Sequence, residues 1–156
     1  IVQNVEIIDN LEHGQRELSD ISGIVIHQTN TSNLTNQINS WKTNNPNGTH
    51  FIIDNDGTVY QTSGLEQITW HVGNLRDDLD SFVDNSDSIG IELIGVAIDD
   101  VYENPTQEQN VALTRLVQHL KALFNVTDEN IYRHPELSYK NATEASGADW
   151  DIPLEG

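Results

Sequence analysis

The sequence contains no cysteine and only 7 basic residues among its 156. Without cysteine the chain has neither disulfide bonds nor thiolate ligands, so a metal site must be built from His, Asp or Glu. The 25 acidic residues give a formal net charge of −18. This charge argues against nucleic acid or an anionic membrane as a partner, because binding to phosphate groups needs clustered Lys and Arg.

Long apolar runs are also missing. No stretch approaches the roughly 20 apolar residues of a membrane-spanning helix, and no basic, apolar leader opens the chain. The first residue is Ile1 rather than Met, so we expect a mature or trimmed form. The acidic charge fits a protein that works outside the cytoplasm, in the periplasm or after secretion, and we expect that location. The length fits one domain with a sizeable core, and we expect that domain to be a monomer.

Several short apolar segments predict β-strands. Residues 21–27 and 88–95 are rich in Ile and Val or Leu, which is typical of buried strands. The run 131–137 predicts a shorter strand that ends at His134, before Pro135. The runs 49–54 and 58–61 flank an Asp-Gly pair, which predicts a β-hairpin.

Two segments have the apolar spacing of helices, at about 33–43 and 106–124. Thr106 and Gln109 have the spacing of a capping box at the start of the second helix. Residues 1–20 predict an N-terminal strand or arm that packs on the domain. Because strands alternate with helices, we expect a single α/β domain with a mixed central β-sheet flanked by helices.

Two histidines follow predicted strands. His27 ends the first apolar strand, and His134 ends the segment that begins at residue 131. A side chain held rigidly at a strand end suits a metal ligand or a catalytic group. The alternative is a core histidine bonded to a backbone carbonyl. Two such histidines with a carboxylate would form a three-ligand zinc site with one open position, an arrangement found in catalytic rather than structural sites.

A lone carboxylate, Glu92, interrupts an otherwise apolar strand. Burial without a partner raises the pKa of a carboxyl group towards the range that suits a general acid or base. The alternative is a structural ion pair with one of the few Lys or Arg residues. Trp70 and His71, closed by Gly73, suit the wall of a pocket, whereas His50 is either a strand-edge residue or a cleft residue.

Five segments together resemble a known family. In the order of that family they are IVIHQT, THFIIDNDGTVYQ, TWHVG, SIGIELIG and RHPELSYK. They resemble the zinc-dependent N-acetylmuramoyl-L-alanine amidases of the amidase-2 type, which are related to amidase-type phage lysozymes and peptidoglycan recognition proteins. The resemblance spans a core at about 21–150, which leaves residues 1–20 as an arm of a single domain over 1–156.

The resemblance implies a zinc enzyme that hydrolyses the amide between N-acetylmuramic acid and L-alanine in peptidoglycan or a soluble muropeptide. His27 and His134 would be zinc ligands. Glu92 would activate water, and Lys140 would stabilise the carbonyl oxygen as it becomes tetrahedral.

The resemblance also implies a substrate groove bordered by Trp70 and His71, with His50 near it. Some relatives use Tyr for part of the catalytic work near position 49. Thr49 occupies that position here, which places more weight on Glu92.

The third zinc ligand departs from the family pattern. The family commonly places Asp or Cys two residues after the catalytic Lys, where this chain has Ala142. Glu144 follows His134 by ten residues, a spacing that the family uses, so we expect Glu144 to be the ligand. Asp149 and then Asp151 are the alternatives.

A non-catalytic peptidoglycan-binding module is the competing interpretation. Such relatives typically lack a zinc ligand, whereas this chain keeps both strand-end histidines, Glu92 and Lys140. These residues favour the enzyme. A zinc peptidase of another kind is disfavoured because the helical His-Glu-x-x-His motif is absent.

Overall fold

A computed structural model describes residues 4–154. Its strands are β1 Asn4–Val5, β2 Gly23–Gln28, β3 Phe51–Ile53, β4 Val59–Gln61, β5 Ser88–Leu93, β6 Ala97–Ile98, β7 Val101–Tyr102 and β8 Ile131–Arg133. Its α-helices are α1 Leu34–Thr43, α2 Gln107–Phe124 and α3 His134–Leu137. Short 3₁₀ helices lie at Asp9–Leu11, Leu18–Asp20 and Asp128–Asn130. No helix among the described residues is long and apolar enough to cross a membrane.

Six strands form one mixed sheet in the spatial order β1, β4, β3, β5, β2, β8. The centre is parallel, because β2 pairs with both β5 and β8, and β5 also pairs with β3. The hairpin predicted around the Asp-Gly pair is confirmed as β3 and β4, which are antiparallel. Gly57 takes a φ of +86° in its turn, a conformation that favours glycine. The predicted α/β fold with a mixed sheet is therefore confirmed.

The sheet separates an apolar face from a face that carries polar groups. Alternate residues of a strand point to opposite faces. Ile24 and Ile26 of β2 pack in the same buried cluster as the apolar stripe of α2. On the other face, α1 packs against Ile52. His27 and Glu92 also project from this second face and line an open cleft.

The helix predictions are confirmed to within a residue or two. α1 begins after Asn33, whose side chain accepts a hydrogen bond from the backbone N–H of Asn36. α2 begins after Thr106, and the predicted capping box is present. The Thr106 hydroxyl accepts from the Gln109 N–H at 3.1 Å, and the Gln109 side chain accepts from the Thr106 N–H at 2.9 Å.

The two ends of the chain depart from the sequence-based picture. In the N-terminal arm only Asn4–Val5 is a strand, parallel to β4, and residues 1–3 lie outside the described part. The strand predicted to end at His134 ends one residue earlier, at Arg133, because His134 begins the one-turn helix α3. Pro135 is accommodated there because the first turn of a helix does not use its N–H groups.

Candidate metal centre and cleft

Parallel pairing brings the two strand-end histidines together. His27 is the register partner of Glu92 on β5, so both side chains project from the same face. Ile26 pairs with Arg133 on β8, which places His134 beside His27. The two imidazole rings lie 4.3 Å apart between centroids.

Glu144 joins these histidines from the loop that follows α3. Its Oε2 atom lies 3.1 Å from His134 Nδ1 and 3.6 Å from His27 Nδ1. All three side chains are buried, and one ligand atom from each lies within 4.8 Å of the others. Gln28 donates its backbone N–H to the same carboxylate at 3.3 Å. The three groups therefore converge on one point and can hold a metal ion.

The electrostatic environment puts His27 and Glu144 in the protonation states that metal binding requires. Burial lowers the pKa of His27 to about 4, and the charge of His134 adds to that effect. Burial alone would raise the pKa of Glu144, but interactions with the neighbouring His134 and His27 lower it to about 2. At neutral pH His27 is therefore neutral and Glu144 is ionised, the states in which each can donate an electron pair.

The hydrogen bond at the far side of His134 supports the same conclusion. Its Nε2 atom lies 2.8 Å from the carbonyl oxygen of Val72. A carbonyl can only accept, so this nitrogen carries the proton, and in the neutral ring the lone pair of Nδ1 faces Glu144. A nitrogen lone pair and a carboxylate oxygen that face one another in a buried site can share a bound cation. The donor set thus fits a metal ion.

Glu92 has an opposite electrostatic environment. It is partly exposed on the cleft floor. Burial raises its pKa to about 8, with a further contribution from the charge of Glu144, while a hydrogen bond with Thr49 opposes the shift. A carboxyl group whose pKa lies near neutrality suits proton transfer.

A cleft of about 520 Å³ surrounds these groups. Its lining includes seven residues singled out in the sequence, namely His27, Trp70, His71, Glu92, His134, Lys140 and Glu144. The exposed side chain of Lys140 passes next to Gly73 at the edge of the cleft. Among the described residues of this lining, Lys140 is the only Lys or Arg.

Trp70 forms an exposed wall of the cleft, with 46% of its surface accessible. The imidazole ring of His13 stacks on it, with centroids 3.5 Å apart and planes 8° from parallel. His13 Nε2 also lies 2.8 Å from the carbonyl oxygen of Pro46. Sequence reasoning did not connect His13 with the cleft, because no motif links the N-terminal arm to position 70.

The structure places His71 at the cleft and His50 behind it. His71 lines the cleft, but both of its ring nitrogens have partners, His27 and Ser88. His50 is fully buried: its Nδ1 accepts from the N–H of Gly90, and its Nε2 lies 2.8 Å from the carbonyl of Gln67. The substrate contact expected for His50 therefore does not fit its position.

The alternative third ligands lie elsewhere. Asp149 is exposed, and its carboxylate accepts the backbone N–H of Asp151 at 2.9 Å. Its main chain is bonded to Asn110 and Thr114 on α2. Within residues 4–154, the group that contains both strand-end histidines is completed by Glu144 and not by either Asp.

Comparison with known proteins identifies the family. Residues 17–151 match the Amidase_2 family, described as N-acetylmuramoyl-L-alanine amidase. The chain belongs to this family. The matched span includes every residue that lines the cleft. Members of the family are peptidoglycan amidases. No curated protein matches the chain significantly.

Solved structures show the same fold at low sequence identity. The chain resembles a crystal structure of an AmpD derivative, with a TM-score of 0.71, 17% identity, and coverage of 96% of this chain and 92% of that one. The catalytic domain of XlyA gives a TM-score of 0.67 and 22% identity, covering 89% and 88%. LysC from Clostridium intestinale URNW, an N-acetylmuramoyl-L-alanine amidase, gives 0.61 and 21%, covering 88% and 86%.

Proposed function

We propose that the protein is a zinc-dependent hydrolase that cleaves the amide between the lactyl group of N-acetylmuramic acid and the L-alanine of the stem peptide. The observation that carries this proposal is the convergence of His27, His134 and Glu144 at one buried point beside Glu92. Family membership supports the substrate class.

The donor set suits zinc in particular. Zinc prefers nitrogen and carboxylate ligands at about 2.0–2.2 Å in a tetrahedron, which corresponds to ligand atoms roughly 3.3 Å apart. The Nδ1 atoms of His134 and His27 lie 3.1 and 3.6 Å from Glu144 Oε2. With three protein ligands a fourth position stays open, as in catalytic sites.

When bound, zinc supplies Lewis-acid chemistry, which lowers the pKa of water and polarises a carbonyl group. Glu92 takes a proton from the attacking water and returns it to the nitrogen of the leaving alanine. The positive charge of a bound metal would favour the ionised form of Glu92, which is the form that accepts this proton.

Lys140 stabilises the negative charge that develops on the lactyl carbonyl oxygen. The water oxygen becomes part of the new lactyl carboxylate, and the C–N bond to alanine breaks. Trp70 offers an apolar wall for the substrate. Because a chain of net charge −18 is not attracted to an anionic cell wall, recognition depends on contacts in the cleft.

Release of dye from labelled, purified cell wall tests this function. We expect release that stops with a chelator and returns when zinc is added. The matched control is Glu92→Gln, which should bind zinc but release little dye. If the unmodified protein binds zinc and cell wall but releases no dye, the non-catalytic binding module is the correct description.

We also propose that the protein acts outside the cytoplasm, as a monomer. The acidic composition and the peptidoglycan substrate support the location. Fractionation of the producing cells should place the protein with periplasmic or secreted markers. Light scattering during gel filtration should give a mass near that of one chain; a dimer mass would contradict the second part.

A further inference from the structure

His71 lies directly behind the metal site. Only 8% of its surface is accessible. Its Nδ1 atom lies 3.0 Å from His27 Nε2, and its Nε2 atom lies 3.1 Å from Ser88 Oγ. Both nitrogens are therefore engaged within the protein, and neither is free for a hydrogen bond to substrate.

The protons along this chain of contacts have one consistent order. Ser88 Oγ lies 2.5 Å from the carbonyl oxygen of Asp84. Because a carbonyl can only accept, the Ser88 hydroxyl donates a hydrogen bond to the backbone carbonyl of Asp84. It therefore accepts a hydrogen bond from His71 Nε2.

The same reasoning determines which ring nitrogen of His27 carries the proton. In the neutral imidazole with Nε2 protonated, the Nδ1 atom of His71 is an acceptor. The facing nitrogen, His27 Nε2, must carry a proton. In neutral His27 the lone pair then resides on Nδ1, the atom that lies 3.6 Å from Glu144 Oε2.

The position of His71 is itself tightly determined. Asn85 Oδ1 accepts the backbone N–H groups of His71 and Val72 at 3.0 and 2.9 Å. On the sheet below, a Cβ atom at Gly90 would lie 2.9 Å from His71 Cγ. The ring therefore occupies the space that the absent side chain leaves. The neighbouring Val72 carbonyl orients His134 in the same way.

We propose that His71 is a positioning residue that fixes the tautomer and ring orientation of His27. It does so through the series of hydrogen bonds that connects the Asp84 carbonyl, Ser88, His71 and His27. This proposal rests on the proposed function only in taking His27 as a metal ligand. It assigns His71 a role in metal affinity rather than a contact with substrate.

The test compares two variants that differ in one hydrogen-bond acceptor. In His71→Asn the side-chain oxygen can take the place of Nδ1, whereas His71→Leu has a similar size and no acceptor. We expect His71→Leu to bind zinc about 10- to 100-fold more weakly, the usual cost of losing such a partner. His71→Asn should stay within about threefold of the unmodified protein, by the same comparison. The exposed His119 provides a control in His119→Leu.

A spectroscopic readout is independent of zinc and of turnover. Nitrogen-15 NMR of the metal-free protein should show His27 with its proton on Nε2, and the same tautomer in His71→Asn. His71→Leu should give a mixture of tautomers. If His71→Leu does not fold, Ser88→Ala decides the matter, because loss of the Ser88 acceptor should mix the tautomers of both His71 and His27 and weaken zinc binding.

Two results would overturn the proposal. One is a His27 proton on Nδ1 in the unmodified, metal-free protein. The other is equal zinc affinity in His71→Leu, or in Ser88→Ala, and the unmodified protein. Failure of amidase turnover with the expected tautomers would instead reject the proposed function and leave the role of His71 intact.

Discussion

Two carboxylates face the same cleft in opposite electrostatic environments. Burial and the charge of Glu144 raise the pKa of Glu92 to about 8. The pKa of Glu144 falls to about 2, because interactions with His134 and His27 outweigh burial. Pairs of titratable groups whose pKa values diverge mark separate roles in acid–base chemistry. The divergence supports the proposed roles, which are proton transfer for Glu92 and metal ligation for Glu144.

Replacing Glu92 by Gln should separate metal binding from catalysis. The amide keeps the size of the side chain but cannot take a proton. We expect unchanged zinc content, measured by elemental analysis, and turnover lower by roughly 10²- to 10⁴-fold, the usual contribution of a positioned general base. A variant as fast as the unmodified protein would assign the base to another residue.

A second pair of substitutions tests the third ligand. Glu144→Ala removes a carboxylate that lies 3.1 Å from His134 Nδ1, so we expect loss of zinc in equilibrium dialysis. Asp149→Ala removes an exposed carboxylate on the far side of the loop and should leave zinc binding unchanged. Retained zinc in the first variant with loss in the second would make Asp149 the ligand.

At the scale of single residues, the sequence predicted the position of a side chain where that position depends on one strand alone. The strand-end position of His27 and the isolated Glu92 follow from alternation along β2 and β5. The burial of His50 does not follow from its own strand, because it depends on whether another segment covers that edge. Here Arg16 and Gln67 do so. Glu144 needed the family spacing, since it comes from an irregular loop.

At the scale of elements, His50, which immediately precedes β3, links that strand to β5 by a hydrogen bond. It accepts the backbone N–H of Gly90, and burial lowers its pKa to about 3, with Arg16 adding to the effect. In the unfolded chain its pKa returns to about 6.5. The unfolded state therefore binds a proton that the folded state excludes between about pH 6.5 and 3, and stability must fall as the pH falls through this window.

Substitution of His50 isolates this contribution. His50→Asn keeps an acceptor for the Gly90 N–H but does not titrate. For the metal-free protein we expect the free energy of unfolding, from urea titrations at pH 7 and pH 4, to fall less in the variant. The difference should be on the order of 1–3 kcal/mol. Equal pH dependence in both proteins would show that His50 is not the buried neutral group described.

The longer helices were predictable because their caps and apolar stripes are local. The end of β8 could not be predicted in the same way. No residue type marks a boundary between Ile131–Arg133 and His134–Leu137, and Pro135 suits either the end of a strand or the first turn of a helix. The pairing of β2 with both β5 and β8 is a long-range property that was not predicted. The resemblance implied only its result, that His27 and His134 share a site.

At the scale of the whole molecule, the net charge of −18 opposes compaction. Added salt screens this repulsion, since the Debye length falls from about 10 Å at 0.1 M to about 3 Å at 1 M. We therefore expect the melting temperature to rise with NaCl over this range, measured at fixed pH and constant zinc. A melting temperature that stays flat or falls would show that self-repulsion does not limit stability.

The most direct test of the central claim is the fate of the water oxygen. A soluble muramoyl-L-alanyl peptide is incubated with the zinc-loaded protein in ¹⁸O-labelled water, and the products are weighed by mass spectrometry. The account predicts one ¹⁸O atom in the lactyl carboxylate of the muramic acid and an unlabelled peptide with a free L-alanine amino group, both abolished by Glu144→Ala. Label in a carboxylate of the peptide, or no cleavage by a protein with bound zinc, would contradict it.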